Sequence, residues 1–210
     1  MEEKKIWTGD REELKVEEEL PEEEKVIGYR VYDLLRPLVS AVAVMTMILT
    51  FFVPLVSVEG ESMRETLQSG DRIVTLRPWL CGEIKRGDIV VVRQDSFDRD
   101  PIIKRVIAVG GETVDIDFTL GVVRVDGEAL EEPYIRELTF LEEGVSFPLT
   151  VEEGHLFLLG DNRNNSTDSR YPAIGTVALD AVIGKAVLLF FPGENAADGR
   201  RDLSRIGLMN

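Results

Sequence analysis

The 210 residues carry 39 acidic against 24 basic side chains, a formal charge of −15, and 44% of them are hydrophobic. That supports one domain with a real core plus an appendage, and it argues against nucleic acid as a partner, because phosphate binding needs clustered Lys and Arg. A single cysteine, Cys81, excludes an intramolecular disulfide, and one cysteine with one histidine, His155, leaves too little for the usual zinc sites. No metal and no cofactor are expected.

Residues 1–36 hold 12 Asp/Glu against 7 Lys/Arg, with runs at Glu17-Glu18-Glu19 and Glu22-Glu23-Glu24. Such a segment buries too little apolar surface to fold alone and reads as a mobile, acidic, cytoplasmic N-terminal stretch. Residues 37–58 contain no charge. As a helix rising about 1.5 Å per residue they match the hydrocarbon thickness of a bilayer, so a single transmembrane anchor in contact with lipid is expected there. Pro37 suits its first turn and Pro54 its last. The acidic stretch before it is too long for a cleaved secretory signal. Lys25, Arg30 and Arg36 precede the run and Arg64 and Arg72 follow it. That excess places the N-terminus inside and the rest of the chain outside a cell membrane crossed once.

From residue 59 to 192 the pattern becomes that of a β-domain. Strands are expected at Asp71–Leu76 and Asp88–Val92, each entered through a glycine, and at Ile102–Val109, Thr113–Ile116 and Val122–Val125. Asp126-Gly127 predicts a type I′ hairpin turn. His155–Leu159 and Gly184–Phe191 supply two more strands. Many short strands with little helical periodicity predict a mainly β, barrel-like domain behind the single N-terminal transmembrane helix. Residues 193–210 read as a loose polar tail.

Two side chains invite chemistry. Ser62 lies just past the apolar run, and an ordinary serine hydroxyl needs a base within hydrogen-bond reach. His155 sits in the apolar run His155-Leu156-Phe157-Leu158-Leu159 and reads as a packing residue. Lys104 lies in the strand Ile102-Ile103-Lys104-Arg105-Val106-Ile107. Alternation puts it on one face with Ile102, Val106 and Ala108. A lysine among apolar neighbours is desolvated chiefly in its charged form, so its pKa falls and its amine becomes usable as a base. The alternative is a lysine that turns outward or pairs with a carboxylate.

Gly60-Glu61-Ser62-Met63-Arg64-Glu65-Thr66-Leu67, Gly70-Asp71, Gly87-Asp88-Ile89-Val90-Val91, Ile103-Lys104-Arg105-Val106, and Gly160-Asp161-Asn162-Arg163 through Asp168-Ser169-Arg170 closely resemble, in order, the sequence boxes of the bacterial type I signal peptidases. The resemblance runs from the apolar segment to about Pro192. It implies the β-fold shared with self-cleaving repressors, a Ser62/Lys104 dyad acting through an acyl-enzyme, and exported preproteins as substrates, cut after small residues in an Ala-X-Ala-like pattern.

The same resemblance implies that Ser166 orients the Lys104 amine. It makes Asp168, Arg170 and Arg105 a supporting polar cluster, with Asp161 and Arg163 tying the last box together. Val58, Met63, Leu67 and Ile103 flank the dyad and are expected to wall the substrate pockets. Two positions depart from the family: Gly60 has no hydroxyl to help the Ser62 amide bind an oxyanion, and Glu65 stands where proline is usual. Only 61 residues separate Lys104 from Ser166, leaving room for a small extra β-subdomain around Val122–Tyr134.

Two rivals remain once a third is removed. The Ser-x-x-Lys pattern of penicillin-binding enzymes is absent, since Glu65 occupies that spacing. A conjugation-type peptidase of the same superfamily differs mainly in substrate. An inactive tethered domain that only binds exported peptides would keep its affinity without Ser62.

Overall fold

The computed structural model describes residues 22–94, 100–195 and 199–209, with side chains from residue 29 onward. Most of the acidic segment anticipated over 1–36 therefore lies outside the described residues. The chain divides between Met45 and Thr46 into two compact units.

Helix α1 runs Glu22–Phe51, longer at its start and shorter at its end than the sequence suggested. Its Tyr29–Phe51 stretch is 23 residues with mean hydropathy 1.9 and none of it is buried, long and apolar enough to cross a membrane. Pro37 lies inside α1 instead of opening it. The helix stops before Pro54, which cannot donate to the helical ladder. The Phe52 and Val53 amides close the last turn on the Ile48 carbonyl at 2.9 and 3.2 Å. The apolar run expected as helix to Val58 then changes role, and Leu55–Ser57 forms strand β1.

In the second unit the strands are β2 (Arg72–Leu76), β3 (Ile89–Val92), β4 (Ile102–Val109), β5 (Thr113–Asp117), β6 (Val122–Val125), β7 (Glu128–Ala129), β8 (Leu149–Thr150), β9 (His155–Leu159), β10 (Val177–Ala178), β11 (Val182–Phe191) and β12 (Gly207–Leu208). A short helix α2, Pro78–Cys81, follows β2. The main sheet has the order β1-β2-β11-β3-β4-β9-β10, with β12 added on β11. Register shifts in the β11–β2, β11–β3 and β4–β9 pairings accompany its curl into a half-barrel.

Composition explains the sheet's centre. Strand β3, Ile89-Val90-Val91-Val92, is buried at every position, as an uninterrupted β-branched run should be when both faces are covered. Ile89 and Val91 join one core with Val58, Met63, Leu67, Ile73 and Leu189. Val90 and Val92 join another with Val106, Leu158 and Val182. Strand β4 departs from strict alternation. Its register against β9 shifts between Val106 and Ala108, so Ala108 leaves the face expected for it and packs with Ile107.

The small subdomain is a four-stranded sheet of order β7-β6-β5-β8. Asp126 and Gly127 both take positive φ, 53° and 84°, the type I′ turn expected between β6 and β7. Val114, Ile116, Val123 and Val125 pack in one core with Ile107, Phe157 and Leu159 of the main sheet.

The segment after Pro192, expected as loose, is tied down in its described part. Gly207 and Leu208 pair with Leu189 and Leu188. Arg205 places both terminal nitrogens on the Asp71 carboxylate, at 3.0 and 2.6 Å. Asp71, fully buried, also accepts the Gly193 and Gln68 amides at 2.7 and 2.8 Å.

Candidate active site

Ser62 sits in the turn between β1 and β2. Its carbonyl accepts the Asn162 amide at 2.9 Å, and the preceding Glu61 carbonyl accepts the Asn162 side-chain amide at 3.0 Å. Lys104 reaches the same point from β4, where it pairs with Val90 of β3. Its Nζ donates to Ser62 Oγ at 2.7 Å, and its side chain is 4% exposed. Burial pulls the Lys104 pKa down from 10.5 to about 8. Asp168 and Glu143 work against that, Arg170 adds to it, and Asp161 opposes it weakly. A buried amine in contact with a hydroxyl is the arrangement a lysine general base requires.

Around this pair the polar block 160–170 is buried except at Asn164, which is half-buried, and at Asn165 and Thr167, which are exposed. Arg105 grips Asp161 with two nitrogens, Nε at 2.9 Å and Nη2 at 2.8 Å, and its third reaches the Gly87 carbonyl at 2.8 Å. Its guanidinium lies 3.9 Å from the centre of the Tyr134 ring. Asp161 also accepts Thr66 Oγ1 at 2.5 Å, so one carboxylate joins β4 to the turn that carries Ser62. Arg163 pairs with Glu132 and donates to Thr139 at 2.9 Å. Arg170 grips Asp168 in the same forked way, at 2.8 and 2.9 Å.

The Ser166 hydroxyl does not take the partner expected of it. It donates to Asp168 Oδ2 at 2.9 Å and makes no hydrogen bond to Lys104. Gly160 is nonetheless pressed against both: a Cβ there would lie 2.2 Å from Ser166 Oγ and 2.5 Å from the Ser62 carbonyl oxygen.

A cleft of about 670 Å³ opens beside the dyad, lined by Val56, Val58, Gly60, Ser62, Met63, Ile103 and Lys104 among others. Three of the four expected wall residues, Val58, Met63 and Ile103, are there. Leu67 is not. It is fully buried in the core beneath the turn, because the Leu67 amide bonds back to the Met63 carbonyl at 2.8 Å and turns the side chain inward. His155 lines a different cleft, with its Nδ1 3.3 Å from the Glu153 carbonyl.

Both departures from the family have a geometric counterpart. Gly60 takes φ 89°, and a Cβ there would meet nothing within 4 Å. Glu65 takes φ 92°, which proline cannot adopt. Sequence reasoning passed over Asn162 as a support for the nucleophile, Thr66 as a bridge, and Glu143, whose Oε2 is buried without a hydrogen-bond partner. The Gly60–Leu67 box could have flagged Thr66. Nothing in the sequence marks Glu143.

Residues 31–191 match the family model described as signal peptidase, peptidase S26. This chain belongs to that family of serine peptidases. It is 37% identical over 166 residues to signal peptidase I T of Bacillus subtilis, covering 75% of this chain and 83% of that one. It is 34% identical over 170 residues to signal peptidase I of Bacillus licheniformis, covering 77% and 89%. A crystal structure of a signal peptidase I from Enterococcus faecalis shows 33% identity, covers 49% of this chain and 96% of that chain, and has a TM-score of 0.41.

Proposed function

We propose that this signal peptidase cuts signal peptides from exported preproteins with Ser62 as nucleophile and Lys104 as general base. The observation that carries the reading is the 2.7 Å contact between Lys104 Nζ and Ser62 Oγ, made by a lysine 4% exposed. Neutral Lys104 takes the hydroxyl proton as Oγ attacks the scissile carbonyl, then returns it to the leaving amine. Water then attacks the Ser62 ester, with Lys104 again accepting a proton. Among the described residues no acceptor takes the Ser62 N–H, which leaves it for the oxyanion. Asp168, Arg170, Arg105 and Asp161 hold the block in place, and Ser166 acts on Lys104 through Asp168.

An extended peptide with small side chains near the cut fits a shallow cleft walled by Val58, Met63 and Ile103. The uncharged run that begins at Pro37 within α1 anchors the enzyme in lipid, and the Lys/Arg bias on its two sides places the N-terminus in the cytoplasm and the β-domain outside.

The test is cleavage of a preprotein bearing an Ala-X-Ala site by purified protein in detergent, with wild type beside Lys104→Ala and Ser62→Ala. Product from wild type alone, with its new N-terminus at the expected bond, is the outcome anticipated. Product from well-folded Lys104→Ala would end the dyad assignment, and no product from any would favour a peptide-binding role.

A further inference from the structure

A second cleft, of about 520 Å³, opens beside Phe51, the last residue of α1. Arg77, Trp79, Arg93, Val182 and Ile183 line it with Phe51, and it shares no lining residue with the cleft that holds Ser62 and Lys104. No Asp or Glu lines it among the described residues. Backbone contacts fix its parts. Arg77 caps the start of α2, and its amide donates to the Phe52 carbonyl at 3.4 Å. The Arg93 amide, one residue past β3, donates to the Ala181 carbonyl at 3.0 Å, beside Val182.

The two arginines are kept without acids. Arg105, Arg163, Arg170 and Arg205 each sit on a carboxylate. Arg77, half-buried, and Arg93, exposed, have no ion pair and no side-chain hydrogen bond among the described residues. The chain has 39 acidic side chains with which to neutralise them and places none in this cleft. Two like charges lining one cleft repel until an anion joins them, and a guanidinium fork fits an oxyanion with paired N–H donors.

Depth selects the anion. The helical part of the uncharged run ends at Phe51, so a helix that carries the run through lipid brings Phe51 to the boundary between hydrocarbon and headgroups. Contact puts α2 at the same level, because the Trp79 ring meets Phe52 edge-on with 5.2 Å between centroids. Trp79 is 65% exposed and Leu80 44%, apolar surface left open where aromatic side chains concentrate in membrane proteins. Phospholipid phosphates lie at that depth. A chain of formal charge −15 is repelled as a whole by an anionic surface, so any attraction to one has to be local, within a Debye length of about 8 Å.

We propose that Arg77 and Arg93 form a binding site for the phosphate headgroup of an anionic phospholipid, with Trp79 inserted in the interface beside it. Two cations favour a lipid of net negative charge over a zwitterionic one, whose own ammonium cancels its phosphate. The site rests on α1 as the lipid anchor and is independent of Ser62 and Lys104, so its test needs no catalysis.

The chain has two tryptophans, Trp7 and Trp79, so Trp7→Phe leaves Trp79 as the sole fluorescent reporter. The full-length Trp7→Phe protein is reconstituted in vesicles of phosphatidylcholine and phosphatidylglycerol in equal parts, with shallow acyl bromination on one lipid or the other. Bromine on phosphatidylglycerol is expected to quench Trp79 about twofold more than bromine on phosphatidylcholine. Arg77→Gln/Arg93→Gln is expected to erase the difference. Arg93→Gln alone, at an exposed position, should give a partial loss if the double variant fails to fold. Equal quenching by the two lipids in the parent protein, or a preference that survives the double variant, would overturn the proposal. So would a preference erased by free glycerol phosphate, which would make the occupant a soluble phosphate ester. Vesicle flotation separates this site from the reading beneath it. Protein that does not float with the vesicles would remove anchor and site together, whereas floating protein with equal quenching removes the site alone.

Discussion

The Ser62 carbonyl oxygen is bonded to the Asn162 amide at 2.9 Å, so the nucleophile's own peptide rests on the polar block that also surrounds Lys104. Serine and lysine come from different parts of the chain, yet residues 160–170 hold the Ser62 peptide through Asn162 and strand β4 through the Asp161–Arg105 pair. Their 2.7 Å contact therefore depends on a third segment that contributes no reacting atom.

Gly160 is the narrowest point of that brace. In Gly160→Ala the new methyl would stand 2.5 Å from the Ser62 carbonyl and 2.2 Å from Ser166 Oγ, and the carbonyl, being backbone, cannot turn away cheaply. The expected outcome is a fall in kcat/KM of about 100-fold or more, from displacement of the nucleophile. Steady-state kinetics beside a melting curve checks it. Wild-type turnover would show that the block shifts without moving Ser62.

The Lys104 environment sets a pH dependence with a definite sign. The amine must be neutral to accept the serine proton, so kcat/KM should rise with pH through about 8 instead of 10.5. The same depression affects stability. Between about 8 and 10.5 the unfolded chain holds a proton that the folded chain has released, so stability rises with pH across that window. Below it the cost of a buried ammonium is fully present. Lys104→Met should accordingly be inactive and, near pH 7, more stable by up to roughly 3 kcal/mol. Urea unfolding at pH 7 and pH 10 measures both effects. A variant less stable at pH 7 would mean the lysine is not held against its charge.

Glu65 tests the departure from the family's proline. Its φ of 92° is strained for any residue with a Cβ and costs about 1–3 kcal/mol. Glu65→Gly should therefore raise the melting temperature with turnover intact, because its side chain is exposed. Glu65→Pro should lower both, since the ring would force the turn after Ser62 into another path. Equal melting temperatures for the two variants would contradict this.

The pair between Arg205 and Asp71 should carry stability out of proportion to its place near residue 200. Arg205→Ala leaves a fully buried carboxylate with only two amides for support, and a loss of about 2 kcal/mol is expected. In a double-mutant cycle with Asp71→Asn, the combined loss should be clearly smaller than the sum of the two. Additive losses would mean that the contact contributes no coupling.

Much of this was legible beforehand, for a physical reason. Strands β4, β6 and β9 begin and end where their apolar runs do, because turn residues bound each run. The pairing of Ser62 with Lys104 came from the ordered boxes, and Lys104's depressed pKa from its apolar neighbours. What escaped was decided by competition in three dimensions. Ser166 had two possible partners, and only the fold shows that its hydroxyl turns to Asp168. Leu67 could equally have been wall or core, and a backbone turn chose core. The uncharged run to Val58 looked like one helix because hydropathy does not register that β2 offers Leu55–Ser57 an edge to pair with. Glu143 belongs to no recognisable pattern, and its place comes from Asn164 and Arg170 gripping the loop around it.

The position of β11 has a consequence in time. It lies between β2 and β3, yet β3 ends at Val92 and β11 starts only at Val182. On a ribosome adding about 5–20 residues per second, β2 and β3 emerge on the order of ten seconds before the strand that separates them. Throughout that interval both present unfilled edges, and until residues 161 and 162 follow, the turn bearing Ser62 has neither Asp161 nor Asn162 to rest on. The nascent chain therefore holds its nucleophile, and later its lysine, well before it can use them.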